Sequence, residues 1–430
     1  MRKSFYLAAL AAIAMTSCSQ DEVINDAPAL GNGSAITFST ILDKSPISRA
    51  NTVSKENMRN FRVVCYDWDN THYFGPTSVT STDGNTWTYT GIHNWKQKDK
   101  ALRFFAIHGT ANSYFKEPVA GDEGITGNKY PFLKDIPIHS PVYLDANGEY
   151  TDQNGQKQGV SGAQVGHEMH DICAAFYEGK EGDGKVKLNF KHLLSKIEVQ
   201  AKNANYQATG GSQAKRKVEV MGVRLKGMYQ YGTWTYNVAD VVQNTAHSNF
   251  TGTWSHDTEG TNPTGDTWLR WHVGATPVTL NGDYQSILPL NESFMVFPTV
   301  ESEQDTGTTA YDKTNAPNGT YLSVICRVTT TDAAGNDHVV VGTSTTYAMA
   351  MIPVSFKLQQ GKKYTFKLDF SNGSGQTDPT DPIDPDIEGP GEGGGGEDHE
   401  GAPIDFTVTV EDWTDGTQPN GGADDGSFPM

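Results

Sequence analysis

Four cysteines, twelve histidines and 51 acidic residues in 430 positions are raw material for chemistry, and their spacing decides what they do. His167-Glu168-Met169-His170 comes near the zinc-protease motif, but its histidines are three apart where one helix face needs four. It also sits in a loop ahead of a predicted strand. Asp145-Ala146-Asn147-Gly148-Glu149 opens like a calcium loop and then lacks the glycine at the sixth position. Thr377–Asp386, TDPTDPIDPD, clusters carboxylates that suit hard cations. Prolines at that density favour an extended conformation over a wrapping loop. No Ser/His/Asp, Cys/His or phosphate-loop pattern rises above chance. The reading is therefore no catalytic residue, no metal ligand and no cofactor: the chain is not expected to be an enzyme.

The one cysteine with a reactive context is Cys18. Arg2 and Lys3 precede an apolar core, Phe5 to Met15, too short to span a bilayer as a helix, which reads as an export signal. Met15-Thr16-Ser17-Cys18 resembles a lipoprotein signal-peptidase site, with small residues ahead of a cysteine that is acylated. Ser19-Gln20-Asp21-Glu22 resembles the acidic signal that sends lipoproteins of Bacteroidales to the cell surface. The expectation is an outer-membrane, cell-surface lipoprotein held by acylated Cys18. The other cysteines, Cys65, Cys173 and Cys326, lie singly in apolar runs and read as small buried residues, not a disulfide framework.

Charge is unevenly placed. Residues 371–430 hold fifteen acids and no Lys or Arg, which leaves 36 acids against 33 bases in the rest. The body is nearly neutral, with no basic patch of the kind a phosphate backbone requires, so nucleic acid is not an expected partner.

Short apolar stretches separated by turn residues argue for an all-β protein. Ser34–Leu42, SAITFSTIL, is the first strand candidate, with Ile36, Phe38 and Leu42 on one face. Others follow at Phe61–Trp68, Tyr73–Tyr89 (turning at Asp83-Gly84) and Ala101–His108. Residues 110–165 read as loop-rich, with a short edge strand at Ile138–Tyr143. Asp171–Lys202 contains three strands, at Ile172–Tyr177, Val186–His192 and Ser195–Ala201. A helix over Phe190–Ile197 competes locally, and the alternation of KVKLNF and KIEVQA favours strands. Further candidates are Lys217–Leu225, Thr233–Val238, Ser293–Phe297, Tyr321–Thr330, His338–Thr343 and Lys363–Phe370.

Ile404–Trp413, IDFTVTVEDW, stands apart beyond an Asp/Pro/Gly run. Ile404, Phe406, Val408 and Val410 share one face, and polar residues hold the other. A lone strand cannot satisfy its own backbone, so it must join a sheet, either its own chain's or a neighbour's. Its Ile-polar-Phe-polar frame repeats that of Ile36-Thr37-Phe38-Ser39.

An ordered set of motifs resembles the fimbrillin-like (Mfa-like, FimA-type) proteins of Bacteroidales. It runs from the lipoprotein signal through FRVVCY (61–66), Trp95, LRFFA (102–106), DICA (171–174) and VKLNFKHLLSKI (186–197). It continues with SFMVFP (293–298), Gly361–Leu368 and the terminal VEDW. The resemblance implies a type V pilus subunit built of two tandem transthyretin-like β-sandwiches. It also implies a trypsin-like cut after an Arg in the loop behind the first strand, a position held here by Arg49, before Ala50. Loss of the first strand would open a groove for a neighbour's C-terminal strand, with Ile404, Phe406, Val408 and Val410 as its inserted side chains.

The expected layout is a signal peptide at 1–18, tether and first strand at 19–49, and sandwiches at 50–184 and 185–371. A flexible acidic linker at 372–403 and the terminal strand and tail at 404–430 complete it. The expected function is a structural, accessory or tip subunit in adhesion, partnered by other fimbrillin-like subunits and by a host or microbial surface glycan or protein. A monomeric glycan-binding surface lipoprotein is the alternative. Aromatic residues from Tyr229 to Trp271 supply its candidate sugar contacts, Trp234, Trp254, Trp268 and Trp271. Core and loop packing is the more ordinary use of such aromatics.

Overall fold

The apolar runs FRVVCY, LRFFAIH and CAAFYEG lack the alternation of a one-faced strand because both faces of their sheet are covered. The computed structural model describes residues 33–41, 58–110, 112–118, 130–137, 149–151, 157–159, 171–206, 215–228, 231–237, 249–256 and 268–288. It also describes 293–299, 309–317, 319–379, 399 and 403–413. Among these the chain is all-β apart from one 3-10 turn at Asn112–Tyr114. No helix among them is long and apolar enough to cross a membrane.

One six-stranded antiparallel sheet has the order Lys191–His192, Cys173–Gly179, Leu102–His108, Asn60–Tyr66, His72–Thr80, Thr88–Tyr89. Phe61, Val63, Cys65, Phe104 and Ala175 face one way, into an aromatic cluster with Trp87, Trp95 and Phe190. Val64, Phe105, Ile107 and Phe176 face the other way, onto Leu133, Trp234 and Tyr236 of a second sheet. That sheet has the order Thr251–His256, Tyr231–Asn237, Phe132–Pro137, Phe115–Lys116. The Tyr236 hydroxyl donates to the Ala106 carbonyl across 2.7 Å, which lets a phenol lie fully buried between the layers.

The second layer pair is built by the later chain. Ser195–Lys202 runs parallel to Lys362–Asp369, with Gln285–Ser286 and Phe294–Val296 also on Ser195–Lys202. Facing it, Lys215–Met228 lies between Trp268–Thr279 and Tyr321–Thr331, followed by Ala348–Pro353 and Gln376–Thr377. A register shift at Met221 lets Val218 and Val220, then Val223 and Leu225, all point inward, which strict alternation would forbid.

The four-stranded sheet takes Phe115–Lys116 and Phe132–Pro137 from one side of the expected 184/185 boundary. It takes Tyr231–Asn237 and Thr251–His256 from the other. One core cluster accordingly runs from Val64 and Phe176 through Leu194 to Phe366 and Trp413. Residues 373–378, expected as the start of the linker, are packed instead. Arg224, fully buried, forms an ion pair with Asp378, and the same carboxylate accepts from Tyr321 (2.8 Å) and Ser323 (2.5 Å). A buried guanidinium demands such a counter-charge, and Asp378 supplies it.

Candidate functional site

The first strand, Phe38–Ile41, runs parallel to Val186–Asn189 with Phe38 opposite Val186 and Ile41 opposite Asn189. Val186 donates its N–H to the Thr37 carbonyl (2.8 Å), and Phe190 donates to that of Ile41 (2.9 Å). The preceding residues bond on the opposite side. Ile36 donates to the His93 carbonyl (2.8 Å), and Trp95 and Ser34 pair through the Trp95 N–H (3.0 Å). The segment is thus wedged between two backbone edges.

Ile36 and Phe38 are buried, whereas Ile41 on the alternate face is 49% exposed. The Phe38 ring meets Phe61, Tyr89 and Phe104 edge-on, at 5.8, 5.6 and 6.1 Å between centroids. Tyr89 also donates its hydroxyl to the Ile36 carbonyl across 2.7 Å. At the rim Ser34 donates its N–H to Glu181 (2.6 Å), and this bond holds the exposed carboxyl below the usual carboxylate range. Leu42, the third residue expected on this face, lies outside the described residues.

The terminal strand, Asp405–Asp412, pairs antiparallel with Lys362–Asp369 of its own chain. Of the two sheets open to it in the sequence, this structure uses its own. Leu368 faces Phe406, Phe366 faces Val408 and Tyr364 faces Val410. The strand is last in its sheet, and those three apolar side chains are only half-buried. Lys362 pairs with Asp412, and Lys363 with Glu411 at 2.9 Å.

Its ends are held more firmly than its middle. Ile404 is buried against Gly375, where a Cβ would meet its Cδ1 at 3.0 Å. Trp413 is buried at the other end, donating its N–H to the Gly361 carbonyl (2.7 Å) and stacking on His192. The first and last strands therefore occupy different sheets, with one Ile-polar-Phe frame serving both positions.

A family model described as fimbrillin-like matches residues 48–413. The chain belongs to the fimbrillin-like family. Among solved structures, this fimbrillin-like chain is similar to a fimbrial protein from Bacteroides vulgatus at 15% identity. That match covers 88% of this chain and 99% of the other, with a TM-score of 0.45. It is also similar to a fimbrial assembly protein from Parabacteroides distasonis at 12% identity, covering 78% and 92%, with a TM-score of 0.33. None of the curated proteins matches.

The remaining predicted residues separate cleanly. Trp234 and Trp254 are corrected from candidate sugar contacts to core side chains. Trp234 donates to Gln360 (3.1 Å) and lies over Gly252, where a Cβ would be 2.0 Å from its ring. Trp254 donates to the Leu193 carbonyl (2.7 Å), and neither indole leaves a face for a sugar. Trp268 and Trp271 lie on the strand Trp268–Thr279, and their side chains, like Cys18, Arg49, Ala50 and His167–His170, are outside the described residues. Cys65, Cys173 and Cys326 are buried and not joined in disulfides, as the sequence suggests.

Sequence reasoning passed over one convergence. Asp171, Cys173 and His192 are all buried, and one ligand-type atom of each lies within 4.8 Å of the others. The available signal was the Asp-x-Cys spacing, which puts two side chains on one face of an extended segment.

Proposed function

We propose that this fimbrillin-like chain is a cell-surface pilus subunit that polymerises by strand exchange. It is exported as a lipoprotein through acylated Cys18 and cut between Arg49 and Ala50. It then surrenders the segment around Ile36 and Phe38. A neighbour's Ile404–Val410 enters the vacated groove, and the role is structural, requiring no catalytic group.

The observation that carries the reading is the burial of Ile36 and Phe38 in an aromatic pocket, with the segment hydrogen-bonded to the backbone of Val186–Phe190 on one side and of His93–Trp95 on the other. With the strand gone, Val186–Asn189 presents open hydrogen-bonding groups above exposed apolar surface, a template for strand addition. The incoming strand runs parallel to Val186–Asn189, as the departing one does. The candidate donor repeats the required frame and sits at a sheet edge with a half-exposed apolar face, so it can leave its own sheet. Contacts of this head-to-tail kind do not close and so build filaments. The family match supports the assignment: it begins at residue 48, beside Arg49, and ends on Trp413.

Trypsin treatment of the purified chain tests it. The expected outcome is a new N-terminus at Ala50 followed by SDS-resistant ladders that Phe406→Asp with Val408→Asp abolishes. A chain that stays monomeric after clean cleavage at Arg49 contradicts the proposal. The alternative, a monomeric sugar-binding lipoprotein, loses two of its four candidate contacts to the core.

A further inference from the structure

The cluster of Asp171, Cys173 and His192 takes no part in strand exchange, and its geometry is unusual for a hydrogen-bonded trio. Cys173 and His192 are directly opposite each other on neighbouring antiparallel strands. Asp171 lies two residues ahead of Cys173. The backbone there is held close to Gly109, whose φ of +86° and missing Cβ allow the Asp171 carbonyl to approach. All three side chains are at most 7% exposed.

Both partners of the imidazole converge on one nitrogen. Asp171 Oδ2 lies 2.8 Å from His192 Nδ1, and Cys173 Sγ lies 3.5 Å from the same atom. A cysteine–histidine–aspartate relay requires the thiol on one ring nitrogen and the carboxylate on the other. Here a single nitrogen, able to carry one proton, faces a sulfur and an oxygen together. Relay chemistry is thereby excluded. Convergence of S, N and O on a common point is instead the arrangement of metal ligands.

We propose that Asp171 Oδ2, Cys173 Sγ and His192 Nδ1 form a site for a borderline-soft divalent cation of the zinc class. Thiolate, imidazole and carboxylate are its usual donors, with water in the fourth position. Tetrahedral coordination at ordinary Zn–S and Zn–N bond lengths separates sulfur from nitrogen by about 3.6 Å, close to the 3.5 Å found. The nitrogen–oxygen edge would open from 2.8 Å to about 3.3 Å, a small side-chain rotation. A dication balances the thiolate and carboxylate charges, leaving a neutral centre fit for burial. Trp413 stacks on the face of the His192 ring at 4.1 Å between centroids and holds the imidazole in place.

The probe is Co2+, added to the untagged full chain carrying Cys18→Ser, so that Cys173 is the only thiol within a group of three ligand-type residues among the described residues. The expected result is one equivalent bound, with a thiolate-to-cobalt charge-transfer band that Zn2+ bleaches and Mg2+ leaves unchanged. Cobalt held by the acidic tail gives no such band, because residues 371–430 contain no cysteine and so no thiolate. Cys173→Ser removes the band, Cys326→Ser keeps it, and Asp171→Asn weakens Co2+ binding at least tenfold. If Cys173→Ser fails to fold, the Cys18→Ser chain still decides, since Zn2+ and not Mg2+ should raise its Tm in a concentration-dependent way. Absence of both the band and the Tm shift overturns the proposal, as does a band that survives in folded Cys173→Ser.

Discussion

Trp413 lies flat on His192, with ring centroids 4.1 Å apart and planes 7° from parallel. The contact joins the residue that follows the terminal strand to Lys191–His192, the edge of the six-stranded sheet. The end of the chain is thus fastened to the sheet against which its first strand packs. Lys196 adds its ammonium over the Trp413 ring at 5.7 Å.

Trp413→Ala should therefore loosen the terminal strand as a unit. Truncating a buried tryptophan removes about 3–5 kcal/mol. Hydrogen exchange should show Thr407 and Thr409 losing protection well before Val199 and Phe366. Equal loss across the whole sheet would mean that Trp413 supports the core in general and not this strand.

The first strand should show an asymmetry between neighbouring apolar residues. Phe38→Ala empties a pocket among Phe61, Tyr89 and Phe104 and should destabilise docking by about 3–5 kcal/mol. Ile41→Ala, at a half-exposed position, should change it by less than about 0.5–1 kcal/mol. Urea titration monitored by exchange at Val186 and Phe190 measures both.

Acid should weaken the rim of the same strand. The bond from Ser34 N–H depresses the Glu181 carboxyl, so the contact is intact above the unfolded carboxylate pKa and is lost as pH falls through the folded value. Protection of the Ser34 amide, corrected for intrinsic exchange, should fall on acidification in the parent. In Glu181→Ala it should be low and independent of pH across that window.

Arg224 and Asp378 make a harder test of packing. Asp378→Ala leaves a buried guanidinium without its counter-charge and should cost about 3–5 kcal/mol in urea unfolding. Arg224→Leu with Asp378→Leu should recover much of that, because two apolar residues need no pairing.

Strands with clean alternation could be read from sequence, and so could those carrying uninterrupted β-branched residues. Lys362–Asp369, Tyr321–Thr331, Cys173–Gly179 and Ser195–Lys202 lie where the pattern put them, and the competing helix over Phe190–Ile197 is absent. The expected strand Val186–His192 is broken at Phe190 into Val186–Asn189 and Lys191–His192, which join different sheets. Trp268–Thr279 escaped because Gly274 and Pro277 punctuate it. It is an edge strand, where proline's missing N–H is tolerated. Ala348–Pro353 escaped because Met and Ala fill both its faces, so no period of two exists to find.

The candidate site was legible in its apolar frame and not in its pairing. Ile36, Phe38 and Ile404 announced buried faces, but no local pattern tells a strand which edge it will join. Pairing depends on contacts over 140 residues apart, such as Phe38 with Val186. The aromatic density around Trp234 misled for the same reason: a tryptophan that stacks on sugar and one that packs on Gly252 have the same spelling.

The central claim is that the groove left by the first strand receives Ile404–Val410. The direct measurement adds a synthetic peptide spanning residues 403–413 to the chain cleaved at Arg49 and freed of the fragment before it, with hydrogen exchange read at Val186–Asn189. The account predicts that these amides are unprotected after fragment removal and regain protection with the peptide. A peptide carrying Phe406→Asp should leave them open. Val186–Asn189 amides that stay unprotected at saturating peptide, or a Phe406→Asp peptide that protects them equally, would contradict it.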